Sequence, residues 1–551
     1  MLRIVPLGGM GKVTKNIFVY ELLGHGPDQR LIVDCGMGFP EEEMLGADLL
    51  VPDVSYLMDK LDTIVGMILT HGHDDHIGAL PYILPQLNKD FPIFASPLTA
   101  GFAQENLEEF GIKTKINLFP KELLQLGNFT IDPITVTHSV PDTKHLAIIT
   151  PDGIYYHGSD FKFDWTPVDH IRPDVVKIAE YGRKGIKAIL LDCLRVEKEG
   201  YSWSETKVGE SLIREIREVT GKVVITTMSS NIHRIQQAID AAVLHHRKVV
   251  FIGRSVEENC KVAQGLGLLK IPENVVVNKK RIKNMEDKQL CLIVAGSQGQ
   301  IGSTLTRIAN NEHSMVSVKE GDHIVFSADP IPGNEGNVYK TIDSLSKLGA
   351  TVSYSDIQDD LHVSGHASAD ELRLMLTLSN PKSIVPIGGT YRHMVHFKNL
   401  ASGMGWSNDQ IHILDDGQII AFDQRGGWVD NVIKLKTVIV DGLGVGDVGP
   451  VVLQDRQKMA HSGMIIVAVP AKKEGNEVIG RPEVITRGFV FARKSQELIE
   501  SIADEAAKWL PVGMKVNDWK ATRDEVNEKI SHFVFEQTQR EPLILVTLVW
   551  S

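Results

Sequence analysis

Residues 70–80 read THGHDDHIGAL, from Thr70 to Leu80. Three histidines and two aspartates fall within six consecutive positions: His71, His73, Asp74, Asp75 and His76. The cluster follows TIVGMILT (Thr63–Thr70), an apolar, β-branched run that predicts a strand. His71 and His73 are one residue apart, so on an extended or looped backbone their imidazoles can converge on one cation. Asp75 and His76 can serve a second cation beside it. Imidazole together with carboxylate suits Zn²⁺ or Mn²⁺. Two such ions ~3.5–4 Å apart can activate a water and stabilise the leaving oxygen of a phosphodiester. A carboxylate is needed to bridge them. For one histidine alone, a surface loop is the plainer explanation; the full H-x-H-x-D-H pattern after a strand argues against it. Asp74 lies between donor positions and is expected to be solvated.

Two later strand ends offer further donors. His138 stands in VTHSVPD and Asp160 in HGSDFKFD. Either alone reads as a structural residue. Beside the first cluster they become candidates for the missing ligands and the bridging carboxylate.

The chain has 551 residues, so two to four domains are expected. Its 43% hydrophobic and 23% charged content is ordinary for a globular protein. No apolar run reaches the ~18–20 residues that span a bilayer. MLRIVPLGGMGKV at the N-terminus reads as a strand and a glycine turn rather than a signal peptide. Cys35, Cys193, Cys260 and Cys291 form no CxxC pair. A disulfide framework or cysteine zinc site is therefore not expected, which fits a reducing cytoplasm. The net charge of −12 does not favour a polyanion. A nucleic-acid partner would need a local basic groove or bound cations.

The first 150 or so residues read as short strands and loops, including RLIVDCG (Arg30–Gly36) and GIYYHGSD (Gly153–Asp160), with a helix starting near Ile77. From Ser204, a candidate N-cap, strands and helices alternate: SETKVGESLIREIREV, KVVITT, NIHRIQQAIDAAVLHH, KVVFIG and onward to Gly349. Such alternation implies a parallel α/β sheet. The strand–loop style returns at Val352–Ser364 and Ser383–Gly389, as if the first domain resumed after an insertion. The glycine-rich Asp441–Gly449 marks a linker or turn. The last ~100 residues mix the strands GMIIVAVPA, EVITRGFVFAR and LILVTLVW with helices near Glu497–Trp509 and Asp524–Gln537, a small α+β domain.

The set His71, His73, Asp75, His76, His138 and Asp160, after an early Asp34, resembles the metallo-β-lactamase superfamily. TTMSSNIHRIQ (Thr226–Gln236), AGSQGQ (Ala295–Gln300), FSADPIPGNE (Phe326–Glu335), HVSGHAS (His362–Ser368) and DGLGVGDVGPVVLQDR (Asp441–Arg456) resemble the β-CASP nucleases of the ribonuclease J family. The resemblance implies an α/β fold. An αββα metallo-β-lactamase domain (1–203 and 351–440) is interrupted by a parallel-sheet β-CASP domain (204–350). A linker and small α+β C-terminal domain (441–551) follow, serving a homodimer or homotetramer. It implies a cytoplasmic, non-membrane ribonuclease acting on single-stranded RNA. Its modes would be 5′→3′ exonuclease, favouring 5′-monophosphate ends, and endonuclease, in rRNA processing and mRNA decay with RNA-decay partners. On the family pattern His71, His73 and His138 take one Zn²⁺ or Mn²⁺, Asp75 and His76 take the other, and Asp160 bridges them. Asp34 would orient the ligand loop.

The resemblance also assigns roles around the metals. Asp192, in ILLDCLRVEKEG, would help protonate the leaving 3′-oxygen, although Cys193, Leu194 and Arg195 replace the family's small polar neighbours. The loop His362, Val363, Ser364, Gly365 and His366 would bind RNA phosphate, with His366 taking part in proton transfer. Ser229 and Ser327 would be further phosphate contacts, and ordinary loop capping is an equal alternative for them. A structural Ca²⁺ would sit near Gly46, Asp48 and Asp441.

One departure stands out. Ribonuclease J relatives carry P-V-H-G-E-Y-R, whose histidine completes the second metal site. This chain reads PIGGTYRH (Pro386–His393), with Gly388 for the histidine and Thr390 for the glutamate. Three outcomes are open. The second metal is weak or absent; His393 or His396 substitutes from the following helix; or the chain keeps fold and RNA binding with reduced catalysis. An active enzyme with a weakened second site is the expectation, because Asp75, His76 and Asp160 remain. The rival functions are a catalytically weakened RNA-binding or scaffold subunit, and a small-molecule hydrolase. The ~150-residue insertion and phosphate-type loops argue against the latter.

Overall fold

The apolar runs of the first 160 residues form strands of two sheets that share one core. The computed structural model describes every residue except Glu42, Pro332, Arg425, Leu443, 491–495 and Ser551. It divides into two compact units, Met1–Phe39 with Leu50–Val438, and Pro40–Leu49 with Ile439–Ser551.

In the larger unit, the first sheet has eight strands. In spatial order they are Gly427–Val432, Gln418–Phe422, Leu2–Gly8, Ile17–Leu22, Gln29–Val33, Ile64–Ile68, Ile93–Ala95 and Ile116–Leu118. The second has six: Ser383–Ile387, Ile186–Asp192, Gly153–Gly158, Lys144–Thr150, Phe129–Thr135 and Leu124–Leu126. Leu2, Phe18, Tyr20, Leu31 and Ile68 of the first bury against Ile131, Leu146, Ile148 and Tyr155 of the second. Helices Val175–Lys184, Ala369–Ser379 and Tyr391–Gly403 add Ile178, Leu372, Met375, Met394 and Phe397 to the same core. Each such residue contributes roughly 1.5–3 kcal/mol on burial, so the strand ends that carry the donors are firmly fixed. This is the αββα arrangement.

The strand Ile186–Asp192 pairs in parallel with Ser383–Ile387, with Asp192 opposite Ile387. Between them in sequence lies an all-parallel sheet in the order Lys248–Ile252, Leu290–Val294, Val223–Thr226, His323–Phe326, Thr351–Ser353. It has its own core, including Val224, Ile252, Leu292, Val294 and Phe326. One detail differs from the sequence expectation. The segment Val352–Ser364, expected with the resumed first domain, opens in a strand, Thr351–Ser353, that pairs with His323–Phe326 as the edge of the inserted sheet. A three-residue edge strand carries too little pattern to declare its sheet. The helix expected from Ser204 runs Thr206–Ile216 with Glu205 at the N-cap position. Ser204 keeps the expected capping bond, its hydroxyl accepting from Thr206 N at 3.4 Å while donating to Thr166 O.

In the smaller unit, Met464–Lys472 pairs antiparallel with Glu483–Arg487 and Glu477–Val478, and parallel with Leu543–Trp550. Helices Gln496–Trp509 and Trp519–Thr538 bury Ile502, Ala506, Ile530 and Val534 against Ile465, Val467, Ile544 and Val546. The far end of the expected strand EVITRGFVFAR, Phe491–Arg493, lies outside the described residues. Helix Pro450–Ser462 was not anticipated: none of its described residues is buried, so no apolar stripe announces it. Among the described residues no helix is long and apolar enough to cross a membrane.

Candidate metal centre

The strand Ile64–Ile68 delivers His71 to the site, and a four-residue helix, Asp74–Ile77, follows with His73 at its N-cap. Backbone bonds pin this turn. Cys35 N donates to His76 O at 2.7 Å, and Asn16 N to Asp75 O at 3.0 Å. His138 follows Phe129–Thr135, and Asp160 follows Gly153–Gly158.

Four donors converge. His71 Nε2 lies 3.2 Å from His73 Nδ1, which lies 3.1 Å from His138 Nε2. Asp160 Oδ2 is 3.6 Å from both His71 Nε2 and His138 Nε2. Four ligands about 2.0–2.1 Å from one tetrahedral ion stand roughly 3.3 Å apart, so these side chains fit a zinc-like ion. A second group shares the same carboxylate. His76 Nε2 is 3.6 Å from Asp160 Oδ1 and 3.7 Å from Asp75 Oδ2. Asp160 thus presents one oxygen to each group, as a bridging carboxylate must. Asp74 is exposed.

The outer partners set the tautomers. His138 Nδ1 donates to Gly365 O at 2.8 Å, leaving Nε2 bare toward the cluster. Gly365 is required here, because a Cβ would fall 2.7 Å from His138 Nδ1. His76 Nδ1 lies 2.7 Å from Asp34 Oδ2, and Asp34 also accepts from Thr70 N at 2.8 Å and Thr70 Oγ1 at 2.9 Å. Ser159 and Thr70 hydroxyls face His71 Nδ1, and Ser139 faces His73 Nε2. Asn16 Nδ2 approaches His76 Nε2 at 3.1 Å and Asp75 Oδ2 at 3.4 Å. Ser159, Thr70 and Ser139 each adjoin a histidine or aspartate of the motif, a signal that would have found them. Asn16 carries none.

Burial pushes His71 and His138 well below the ordinary imidazole range and His73 down to about 3. They are neutral, the form a metal ligand requires. Burial opposes charge on His76 too, but Asp34, Asp160 and Asp75 hold it protonated well above its usual range. A cation at that place would take over the role of the proton. Burial raises Asp75 to about 7. Asp160 stays well below the carboxylate range despite burial, because His76 and His366 surround it.

Above Asp160 sits an acid–imidazole pair. Asp192 Oδ2 lies 2.7 Å from His366 Nδ1, and Asp192 Oδ1 accepts from Leu194 N at 2.8 Å. His366 Nε2 is 3.9 Å from Asp160 Oδ2. Burial lowers His366 and raises Asp192; the attraction between them, with Asp160 nearby, nevertheless lifts His366 to about 9. The loop from His362 to His366 lies against the donors through Gly365, with Ser364 Oγ accepting from His366 N at 3.1 Å.

Other expected residues behave differently. Val363 is buried at 4% exposure. Ser327 is 1% exposed, its hydroxyl donating to Leu361 O and accepting from Arg234 Nη1. It supports the loop from beneath rather than facing solvent. Ser229 accepts from Asn259 Nδ2. His362 Nδ1 lies 3.4 Å from the buried Arg234, and burial with that guanidinium pushes it down to about 3. The expected calcium position carries its own side-chain contacts. Asp441 pairs with the Arg456 guanidinium, which also donates to Leu45 O at 3.0 Å and fills the space over Gly46, while Asp48 Oδ2 accepts from Gly442 N. The Arg456 guanidinium is thus a charge partner of Asp441.

Gly388 sits at φ +66°. A Cβ built on it would point at Asp192 Oδ1, 3.5 Å away, and Asp160 Oδ1, 3.8 Å away. The position faces the donors, but nothing reaches in from it. Neither neighbouring histidine replaces it. His393 Nδ1 accepts from Thr390 N as a helix cap, and His393 and His396 both turn Nε2 toward Glu197.

Comparison with known proteins follows the same division of the chain. The family described as "Metallo-beta-lactamase superfamily" matches residues 10–148, and "Ribonuclease J, beta-CASP domain" matches 220–345. "Zn-dependent metallo-hydrolase RNA specificity domain" matches 351–410, and "Ribonuclease J C-terminal domain" matches 451–550. The chain is 33% identical to Ribonuclease J2 of Bacillus subtilis, covering 99% of this chain and 98% of that one. It is 36% identical to Ribonuclease J of Thermus thermophilus, covering 100% and 95%. A solved Enterococcus faecalis protein of unknown function shares the fold at TM-score 0.54 and 15% identity, over 76% of this chain and 99% of that one.

Proposed function

The chain belongs to the ribonuclease J family, and from that premise we propose that it is a metal-dependent ribonuclease hydrolysing single-stranded RNA. One observation carries the reading: Asp160 offers one oxygen to the His71–His73–His138 group and the other to Asp75–His76. The first group would hold one ion and the second a weaker one, Zn²⁺ being favoured over Mn²⁺ by three imidazoles. When bound, such ions polarise a phosphodiester and lower the pKa of a water.

The chain's own residues supply positioning and proton handling. Asp34 and Gly365 O orient two of the imidazoles. Asp192 Oδ2 holds His366 through Nδ1 and so turns His366 Nε2 toward Asp160, where that imidazole edge would pass a proton to a leaving 3′-oxygen. The loop His362–His366 would bind phosphate, with Ser364 and the Gly365 backbone in contact and Ser327 and Arg234 holding it from below. The finer assignment is a 5′→3′ exonuclease favouring 5′-monophosphate ends, with an endonuclease mode, in cytoplasmic rRNA processing and mRNA decay. Residues 1–203 and 354–440 would be the catalytic domain, 204–353 the RNA clamp, and 441–551 the site of dimer or tetramer formation and of RNA-decay partners.

Cleavage of 5′-monophosphorylated RNA, compared with its triphosphorylated form, tests the assignment when read together with metal content per chain. His76→Ala is expected to abolish cleavage while thermal unfolding stays cooperative; retained cleavage overturns the metal assignment. Gly388 favours a second reading, an RNA-binding subunit with weakened catalysis. RNA binding without metal-stimulated cleavage by the wild-type chain would select it.

A further inference from the structure

We propose that Trp165 and Tyr201 form a stacking cleft for one nucleobase of the strand being cut; this rests on the ribonuclease reading. Phe163, Trp165, Thr166, Tyr201 and Ser202 line a cleft of about 350 Å³. Trp165 is 43% exposed and Tyr201 50%. Singly exposed aromatics are common. Two that open into one cleft, with Trp203 beside them at 48%, form a patch that calls for a ligand. Phe163 backs the Trp165 ring, with centroids 5.8 Å apart and planes 7° apart, and so holds its other face ready for a third ring. Every base has a π-face, so such a platform is tolerant of sequence. Lys207 Nζ stands 4.1 Å from the Trp203 ring, a cation placed for the adjoining phosphate backbone.

The cleft is wired to the reaction centre. Glu371, fully buried, accepts from Phe163 N at 2.7 Å with one oxygen, and from Ser202 N and Ser368 N at 2.8 Å with the other. Asp164 accepts from Thr166 N at 3.0 Å and Glu205 N at 2.8 Å. These two acids lock the Trp165 and Tyr201 segments to each other. Ser202 Oγ then donates to His366 O at 2.7 Å, and Trp165 follows Asp160 by five residues. A base held in the cleft is therefore held in register with the proton-carrying imidazole and the shared carboxylate. A flexible single strand gains most from such a fixed anchor, because orientation at the scissile bond is what it lacks.

The test uses the full chain with its metals and RNA oligonucleotides in which one abasic nucleotide is walked along the strand. For the wild type, one abasic position is expected to raise KM about tenfold, the scale of one stacking contact. Trp165→Ala and Tyr201→Ala are each expected to raise KM about tenfold on intact RNA and to become indifferent to that abasic position, with Trp165→Phe restoring both. Tyr201 is the more exposed, so its variant keeps the test alive if Trp165→Ala misfolds. Variants that respond to every abasic position as the wild type does overturn the cleft alone. A wild-type chain that neither binds nor cuts RNA overturns the ribonuclease reading itself.

Discussion

Gly388 shows how much rests on one missing side chain. Its Cα faces Asp192 and Asp160, and the nearest atoms to a new Cβ are at ordinary contact distance. Gly388→His is therefore expected to fit sterically, to cost roughly 1–2 kcal/mol for a side chain at positive φ, and to raise affinity for the second ion and cleavage together. Metal titration by calorimetry, beside a melting curve, separates these effects. No gain in either affinity or rate would mean that the second site is completed another way. Asp34 gives the complementary test. Asp34→Asn keeps the left-handed backbone at φ +62°, which asparagine tolerates, but loses an acceptor shared by Thr70 and His76. Metal affinity is expected to fall about 10–100-fold, measured by competition with a chelator. The six donors were legible from sequence because each stands at a strand end or in one short cluster. Asn16 was not, since its contact with His76 spans 60 residues and leaves no local trace.

At the scale of elements, buried charge pins two helices of the inserted domain to each other. Glu205, at the N-cap of Thr206–Ile216, pairs with Arg234 on Ile232–Leu244, whose side chain is fully buried. Glu205→Gln leaves that guanidinium under-compensated and is expected to cost about 3–5 kcal/mol. Burial raises the Glu205 carboxyl, but Arg234 outweighs it and holds the carboxyl below its usual value of 4.5. A depressed carboxyl stabilises the fold above its unfolded pKa and loses that contribution as pH falls through the folded value. The wild-type melting temperature should thus drop as pH falls below about 4.5, and that of Glu205→Gln should drop less. Differential calorimetry across about pH 3–7 decides it. Alternating strands and helices were readable here from period alone. The role of Arg234 was not: in NIHRIQQ it looks like any solvated helix charge until its neighbours are known. Glu371 escaped notice for the same reason.

At the scale of the molecule, the C-terminal unit exposes apolar side chains along one face of its sheet. Ile485 is 38% exposed, Leu545 47% and Val549 51%, on strands that flank Met464–Lys472 on either side. This face suits the self-association proposed for the unit. Leu545→Glu with Val549→Glu is expected to lower the mass found by light scattering to that of one chain, with cleavage per chain retained. An unchanged oligomer mass would exclude the face as the contact. The sequence announced a small α+β domain here but not which side of its sheet exposes apolar side chains, because alternation marks two faces without saying which one a helix will cover.

The donor set also has an order in time. His71, His73, His138 and Asp160 all belong to the first 160 residues, whereas His366 is made 206 residues later. At roughly 5–20 residues per second, synthesis separates them by about ten to forty seconds. The strands that carry the four donors are complete in the nascent chain well before the imidazole that handles the proton exists. Gly365 O, which orients His138, is made only with His366, so the three-histidine group is completed when both parts of the interrupted domain have been synthesised.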